Sequence, residues 1–180
     1  MSGSDVIRVA VVDDQELMRA ALRMMVESQP DLTLVGEAAD GHQALALVRA
    51  HRVDVVLMDL RMPRMDGIEA TAIVTRELPS IRVLALTTFD VDDYAFPALR
   101  AGASGFLLKD APEDRLVTAI RVVAEGGSLF APSVTRRLIE EFARAREDRA
   151  APTSLSALTD RETEVLRAVA RGLSNAEIGT

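Results

Sequence analysis

Asp13, Asp14, Asp59, Thr87 and Lys109 are the side chains of this 180-residue sequence whose types and spacing suit one shared chemistry. Each directly follows a short apolar run. Asp13 and Asp14 follow Val6–Val12, Asp59 follows Val53–Met58, Thr87 and Thr88 follow Ile81–Leu86, and Lys109 follows Gly105–Leu108. Three carboxylates in one small pocket repel each other, and without a cation at least one has its pKa raised. A divalent hard ion removes that conflict, and an all-oxygen site with a few carboxylates suits Mg²⁺. A carboxylate is also a nucleophile toward phosphorus, forming an aspartyl-phosphate. Phosphoryl transfer needs little beyond charge neutralisation and alignment. Mg²⁺ and Lys109 would neutralise the phosphoryl oxygens, and Thr87 would donate a hydrogen bond to one of them.

Lys109 stands out by composition as well. Twenty of the 21 basic residues are Arg, and Lys109 is the exception. Lys is a compact, strongly hydrated point charge on a flexible stem, whereas Arg is a wide planar fork. A narrow anion pocket selects the first. Taken singly, each residue has a plainer role. An Asp at a strand end serves as a helix cap, Pro63 and Asp66-Gly67 suit a turn, and Thr87 is a common strand-end hydroxyl. The joint occurrence at four strand ends argues for a pocket.

Elements of a particular kind must position these residues. Val6–Val12, Leu32–Val35, Val53–Met58, Ile81–Leu86 and Gly105–Leu108 are short, nearly continuous apolar runs, as in strands buried on both faces of a parallel sheet. Helical patterns lie between them. Glu16–Glu27 spaces Leu17, Ala20, Ala21, Met24 and Met25 along one side. Gln43–Ala50, Ile68–Leu78, Asp92–Ala101 and Glu113–Glu125 complete the set. The alternation predicts a doubly wound five-stranded parallel α/β domain over residues 5–127. With strand order 2-1-3-4-5, ligands bind outside the carboxyl ends, where the first and third strands meet. That order gathers Asp13, Asp14 and Asp59, with Thr87 and Lys109 alongside.

The pattern changes after Gly126-Gly127. Residues 128–156 read as a linker holding an amphipathic helix, Ser133–Arg149, and then a flexible stretch, Ala150–Ser156. Within 157–180, Thr159-Asp-Arg-Glu162 and Ser174-Asn-Ala-Glu177 are capping-box patterns. Two capped helices joined at Gly172 resemble the start of a helix-turn-helix.

Composition narrows the functions. There is no Cys, which excludes disulfides and zinc–thiolate sites and fits a reducing cytoplasm. No apolar run approaches the ~20 residues of a membrane span, and the polar N-terminus lacks the features of a secretory signal. Residues 1–135 carry 13 basic and 20 acidic residues, whereas 136–180 carry 8 of each. The acidic first part is not built to hold nucleic acid by its phosphates. His42 and His51 fall away from the strand ends, which argues against a phosphodonor or ligand role for either.

Val11-Val-Asp13-Asp14, Val56-Leu-Met-Asp59-Leu-Arg-Met-Pro63, Met65-Asp66-Gly67, Leu86-Thr87 and Gly102-Ala-Ser-Gly-Phe106-Leu-Leu-Lys109 resemble a bacterial two-component response regulator. The resemblance covers most of 5–127 and implies a flavodoxin-like receiver. Leu86-Thr-Thr-Phe89-Asp90 and the segment Leu158–Ile178 resemble the NarL/FixJ subfamily, which carries a LuxR-type effector domain. The resemblance implies that Asp59 accepts a phosphoryl group from a sensor histidine kinase. Asp14, Asp59 and the Arg61 backbone carbonyl would ligate Mg²⁺ directly, and Asp13 would act through a metal-bound water. Thr87 and Phe106 would be the switch pair, the ring turning inward as the hydroxyl moves to the phosphate. Phe106 lacks the hydroxyl of the Tyr found in many receivers, so its inward state rests on packing. Asp110 stands where many receivers have Pro, which removes the usual basis for a cis peptide there.

The resemblance further implies homodimerisation on phosphorylation and promoter binding by the full-length protein. The LuxR-type domain has four helices, and the third reads the major groove. The sequence stops before it, so this chain is expected not to bind DNA specifically. The leading expectation is a cytoplasmic, phosphorylation-activated transcriptional regulator, not an enzyme beyond its own phosphorylation and dephosphorylation. A stand-alone receiver serving as phosphate sink or docking module is the alternative. A phosphatase with an aspartyl nucleophile is disfavoured, because such enzymes commonly place an Asp-x-Asp pair on the first strand.

Overall fold

The computed structural model describes residues 6–88 and 91–130. These lie in the first of two units into which the chain divides, Met1–Leu138. The expected amphipathic helix at Ser133–Arg149 and the helix-turn-helix fragment at 157–180 lie outside the described residues.

Strands and helices alternate as β1 (Ile7–Val12), α1 (Glu16–Glu27), β2 (Leu32–Ala38), α2 (Gly41–Ala50), β3 (Val55–Asp59), α3 (Gly67–Glu77), β4 (Arg82–Thr87), α4 (Val91–Arg100), β5 (Gly105–Leu108) and α5 (Glu113–Ala124). A two-residue strand, β6 (Leu129–Phe130), follows. The sheet is parallel throughout, in the order β2-β1-β3-β4-β5-β6. Its first five strands are the expected flavodoxin-like receiver order.

Within each strand the apolar residues alternate between two cores, as a pleat requires. Val9, Val11, Val55, Leu57, Leu84, Leu86 and Leu107 face α1 and α5, meeting Leu22, Met25 and Val26 of the first and Leu116, Ile120 and Val123 of the second. Ala10, Val12, Val56, Met58 and Val83 face the other way, onto Ala44, Leu45 and Val48 of α2 and Ala70 and Val74 of α3. Ala85 and Phe106 meet Ala95 and Ala98 of α4. Burying both faces fixes the register, because a one-residue slip would turn every side chain to the wrong side.

Four local expectations need correction. Asp59 and Thr87 are the last residues of β3 and β4 rather than the residues after them. Both therefore stay in the ladder, and Asp59 pairs with Leu86. The buried stripe of α1 is Leu22, Met25 and Val26, with Met18 half-buried beside it, while Leu17 and Met24 are 84% and 68% exposed. The helix carries two neighbouring apolar stripes, and Val9 and Val11 in the sheet take the second. The linker assigned to 128–156 begins inside the fold, since Leu129 and Phe130 extend the sheet beside β5. The cause is the end of α5. Gly127 N–H donates to Val122 O at 2.9 Å and Gly126 N–H to Val123 O at 3.0 Å, a glycine turn that closes the helix. Gly126 has φ 88°, and a Cβ on Gly127 would lie 2.9 Å from Val122 O. The turn sends the chain back along β5 and covers what would be an open sheet edge.

Candidate functional site

The carboxyl ends of β1, β3, β4 and β5 meet at one place, which brings the Asp13, Asp14, Asp59 and Lys109 side chains together and sets Thr87 at the end of β4 beside them. Asp13 follows β1 and is fully buried. Its N–H donates to Ala38 O at 3.0 Å, which anchors it to the end of β2. Its Oδ1 accepts from Gln15 N–H at 2.9 Å, and its carbonyl accepts from Arg19 Nη1 at 2.7 Å. Asp59 is 3% exposed, and its Oδ1 accepts from Arg61 N–H at 3.2 Å. Asp14 is exposed and opens the cluster to solvent. Thr87 is 1% exposed, and its carbonyl accepts from Lys109 N–H at 2.8 Å, tying β4 to the residue after β5.

Lys109 reaches back across these strand ends. Its Nζ lies 2.6 Å from Asp13 Oδ2 and 2.9 Å from Asp59 Oδ2, and its side chain is 2% exposed. Asp13 Oδ2 is buried without a hydrogen bond, and its partner is the Lys109 charge. One ammonium thus serves two carboxylates. Burial pushes the Asp59 carboxyl above the usual carboxylate range, and the neighbouring Asp13 charge adds to the rise. The hydrogen bond and charge of Lys109 and the Arg61 N–H pull in the other direction.

The donor set fits a hard divalent cation. Asp13, Asp14 and Asp59 each offer a carboxylate oxygen, and the three lie within 4.8 Å of one another. The set is all oxygen, one carboxylate is open to water, and Asp13 Oδ2 lacks a hydrogen bond. A cleft of about 440 Å³ lined by Asp14, Arg61, Met62, Pro63, Asp66 and Tyr94 leads to this edge. The Arg61 guanidinium stands 6.0 Å over the Tyr94 ring in the same cleft.

Phe106 is 0% exposed and packs with Leu60, Ala85, Ala95, Ala98 and Ala103. His42 and His51 are exposed on and after α2, away from the cluster. No cis peptide occurs among the described residues.

Two features of the site escaped the sequence. A Cβ on Gly67 would lie 1.9 Å from Asp59 O, so only glycine lets α3 start against the Asp59 backbone. Gly67 N–H also donates to Leu60 O at 3.1 Å. Asp-Gly reads as turn chemistry in sequence, and the close approach depends on where the helix lands. The second feature is Asp40, a buried carboxylate paired with Arg64. Asp40-Gly-His-Gln43 is a helix-start pattern that signals the cap, but no sequence signal joins it to Arg64.

A family model described as the response regulator receiver domain matches residues 9–121. The chain belongs to that receiver family. It is 43% identical to the transcriptional regulatory protein YxjL of Bacillus subtilis over 97% of this chain and 80% of that protein. Among solved structures, a LuxR-family two-component response regulator from Aurantimonas sp. superposes with a TM-score of 0.70. It is 34% identical, over 76% of this chain and 97% of that one. The response regulator ChrA of a heme-sensing two-component system is 36% identical with a TM-score of 0.63, over 97% of this chain and 80% of that one. The receiver's relatives are thus transcriptional regulators of the LuxR/NarL type, as the resemblance of Leu86–Asp90 and Leu158–Ile178 implied. Among the described residues no helix is long and apolar enough to cross a membrane.

Proposed function

We propose that this receiver is the phosphorylation-controlled input of a cytoplasmic transcriptional regulator, with Asp59 as the phosphoacceptor. The single observation that carries the reading is Lys109 Nζ, held between Asp13 and Asp59 at the carboxyl edge of the sheet. An Asp59 oxygen attacks the phosphorus of a phosphohistidine on a sensor kinase. The P–O bond forms, the P–N bond breaks, and the imidazole leaves with the electron pair. Lys109, already 2.9 Å from Asp59 Oδ2, turns from the carboxylate to a phosphoryl oxygen. Thr87 donates its hydroxyl to another.

Mg²⁺ held by Asp13, Asp14, Asp59 and the Arg61 carbonyl would neutralise charge on the phosphoryl oxygens. The reaction modifies the protein itself rather than turning over a substrate. Phosphorylation then biases a two-state receiver through Thr87 and the packing of Phe106, favouring a homodimer and promoter binding by a complete effector domain.

Incubation with acetyl phosphate and Mg²⁺ tests the reading by intact-protein mass. The expected result is one added phosphoryl group, absent with EDTA and absent in Asp59→Asn. Equal labelling of Asp59→Asn would overturn the assignment.

A further inference from the structure

Arg64 is the one residue other than glycine with a positive φ, 70°, among the described residues. L side chains rarely adopt this conformation, and it persists where surrounding contacts fix it. Here the fixing contact is remote in sequence. Arg64 Nε donates to Asp40 Oδ2 at 2.9 Å, and its Nη2 donates to the same oxygen. The Asp40 side chain is 2% exposed, and its other oxygen caps α2 by accepting Gln43 N–H at 2.9 Å. The burial of that carboxylate and its two sets of donors make it a fixed post rather than a swinging surface charge.

The backbone reinforces the tie. Gly41 N–H donates to Met65 O at 3.1 Å. A Cβ on Gly41 would lie 2.5 Å from Met65 Cγ, so helix and loop meet with no room between them. The same loop, residues 60–66, turns back on the acidic site at its other end. Arg61 N–H holds Asp59 Oδ1 at 3.2 Å, and Leu60 O accepts Gly67 N–H at 3.1 Å. The loop is thus pinned to α2 on one side and to Asp59 on the other.

We propose that the Asp40–Arg64 pair is a positioning latch for the acidic site, setting loop 60–66 so that Arg61 and the Asp59 carboxylate are presented together to a divalent cation. The inference rests on the cation site proposed above. Neither residue touches the cation or the phosphoryl group. Their effect passes through the loop, as outer partners of metal ligands commonly act on affinity.

The test is Mg²⁺ binding by the whole chain after EDTA treatment, measured by calorimetry, beside the Mg²⁺ dependence of labelling by acetyl phosphate. Asp40→Asn keeps an N-cap acceptor for Gln43 and loses the charge that holds Arg64. Arg64→Ala removes the other half. Each is expected to weaken Mg²⁺ binding about tenfold while the labelling rate at saturating Mg²⁺ stays that of wild type. The double variant is expected to be no weaker than the weaker single, because both break one interaction. Arg64→Lys, which keeps the charge and loses the fork, should fall between, and it carries the test if Arg64→Ala does not fold. Wild-type Mg²⁺ affinity in Asp40→Asn and in the Arg64 variant overturns the latch. So does a lower maximal rate with unchanged Mg²⁺ half-saturation. A wild-type chain that binds no Mg²⁺ would instead remove the cation site itself, which separates the two failures.

Discussion

The two ends of the sheet use the same kind of pairing, an aspartate with a basic residue, and reach opposite electrostatic states. At the amino end Arg8 grips Asp54 with Nε at 2.8 Å and Nη2 at 2.6 Å, and Arg121 grips Asp31 with Nε at 2.7 Å and Nη2 at 2.8 Å. These are planar two-point contacts, one fork to one carboxylate, and the side chains are 29–41% exposed. The arginine hydrogen bonds hold both carboxyls below their usual range. At the carboxyl end a single buried ammonium faces two buried carboxylates with a third nearby. There burial wins, and the Asp59 carboxyl is pushed up. Matched forks fasten β1 to β3 and α5 to the start of β2. The unmatched end is left short of positive charge, the condition a cation and a phosphoryl-transfer site require.

The largest effect in this comparison is expected from Lys109→Ala. It leaves two buried carboxylates with no counter-charge, and removing one partner of a buried pair costs about 3–5 kcal/mol. Urea unfolding in EDTA measures it. A loss no larger than that of an amino-end pair would erase the contrast. Lys109→Arg is next. Its fork is too wide to sit between Asp13 and Asp59, so acetyl phosphate labelling should slow at least tenfold, an order-of-magnitude expectation from misplaced transition-state charge. Unchanged labelling would show that the pocket does not select for shape.

Asp54→Ala should cost about 1 kcal/mol or less, because the pair is partly exposed and solvent screens it. Phosphorylation of that variant should equal wild type. The smallest effect is in pH dependence. Asp31 and Asp54 titrate lower in the folded chain, so their contribution is present above the unfolded value of about 3.9 and lost as pH falls through the lower folded value. Asp59 has the opposite sign. Its cost is fully present above its raised folded value and is relieved as pH falls toward the unfolded one. Acid-unfolding curves of Asp54→Asn and Asp59→Asn should therefore depart from wild type in opposite directions.

The carboxyl end was the more legible of the two in sequence. Strand-end placement of Asp13, Asp14, Asp59, Thr87 and Lys109 follows from where apolar runs stop, and a parallel sheet brings strand ends together whatever the loop details. The five strands and their order were legible for the same reason. The amino-end forks were not, because Arg8 and Arg121 are two among twenty arginines and nothing local pairs them with Asp54 and Asp31. The buried side of α1 is ambiguous in sequence because Leu17, Ala21 and Met24 form a stripe as apolar as Met18, Leu22 and Met25. Only the packing partner chooses between them. β6 was hidden because two residues after a double glycine carry no periodicity. The Asp40–Arg64 tie spans 24 positions and depends on a left-handed backbone at an arginine, which no local propensity predicts.

A buried carboxylate shared with one ammonium at the carboxyl end should cost the fold stability. Thermal unfolding of wild type and Asp59→Asn in EDTA at neutral pH tests it most directly. The isosteric amide removes one buried negative charge and leaves Lys109 matched one-to-one with Asp13. Asp59→Asn should be the more stable protein, because burial disfavours the charged Asp59 carboxyl, while being unable to take up a phosphoryl group. A lower melting temperature for Asp59→Asn would contradict the account.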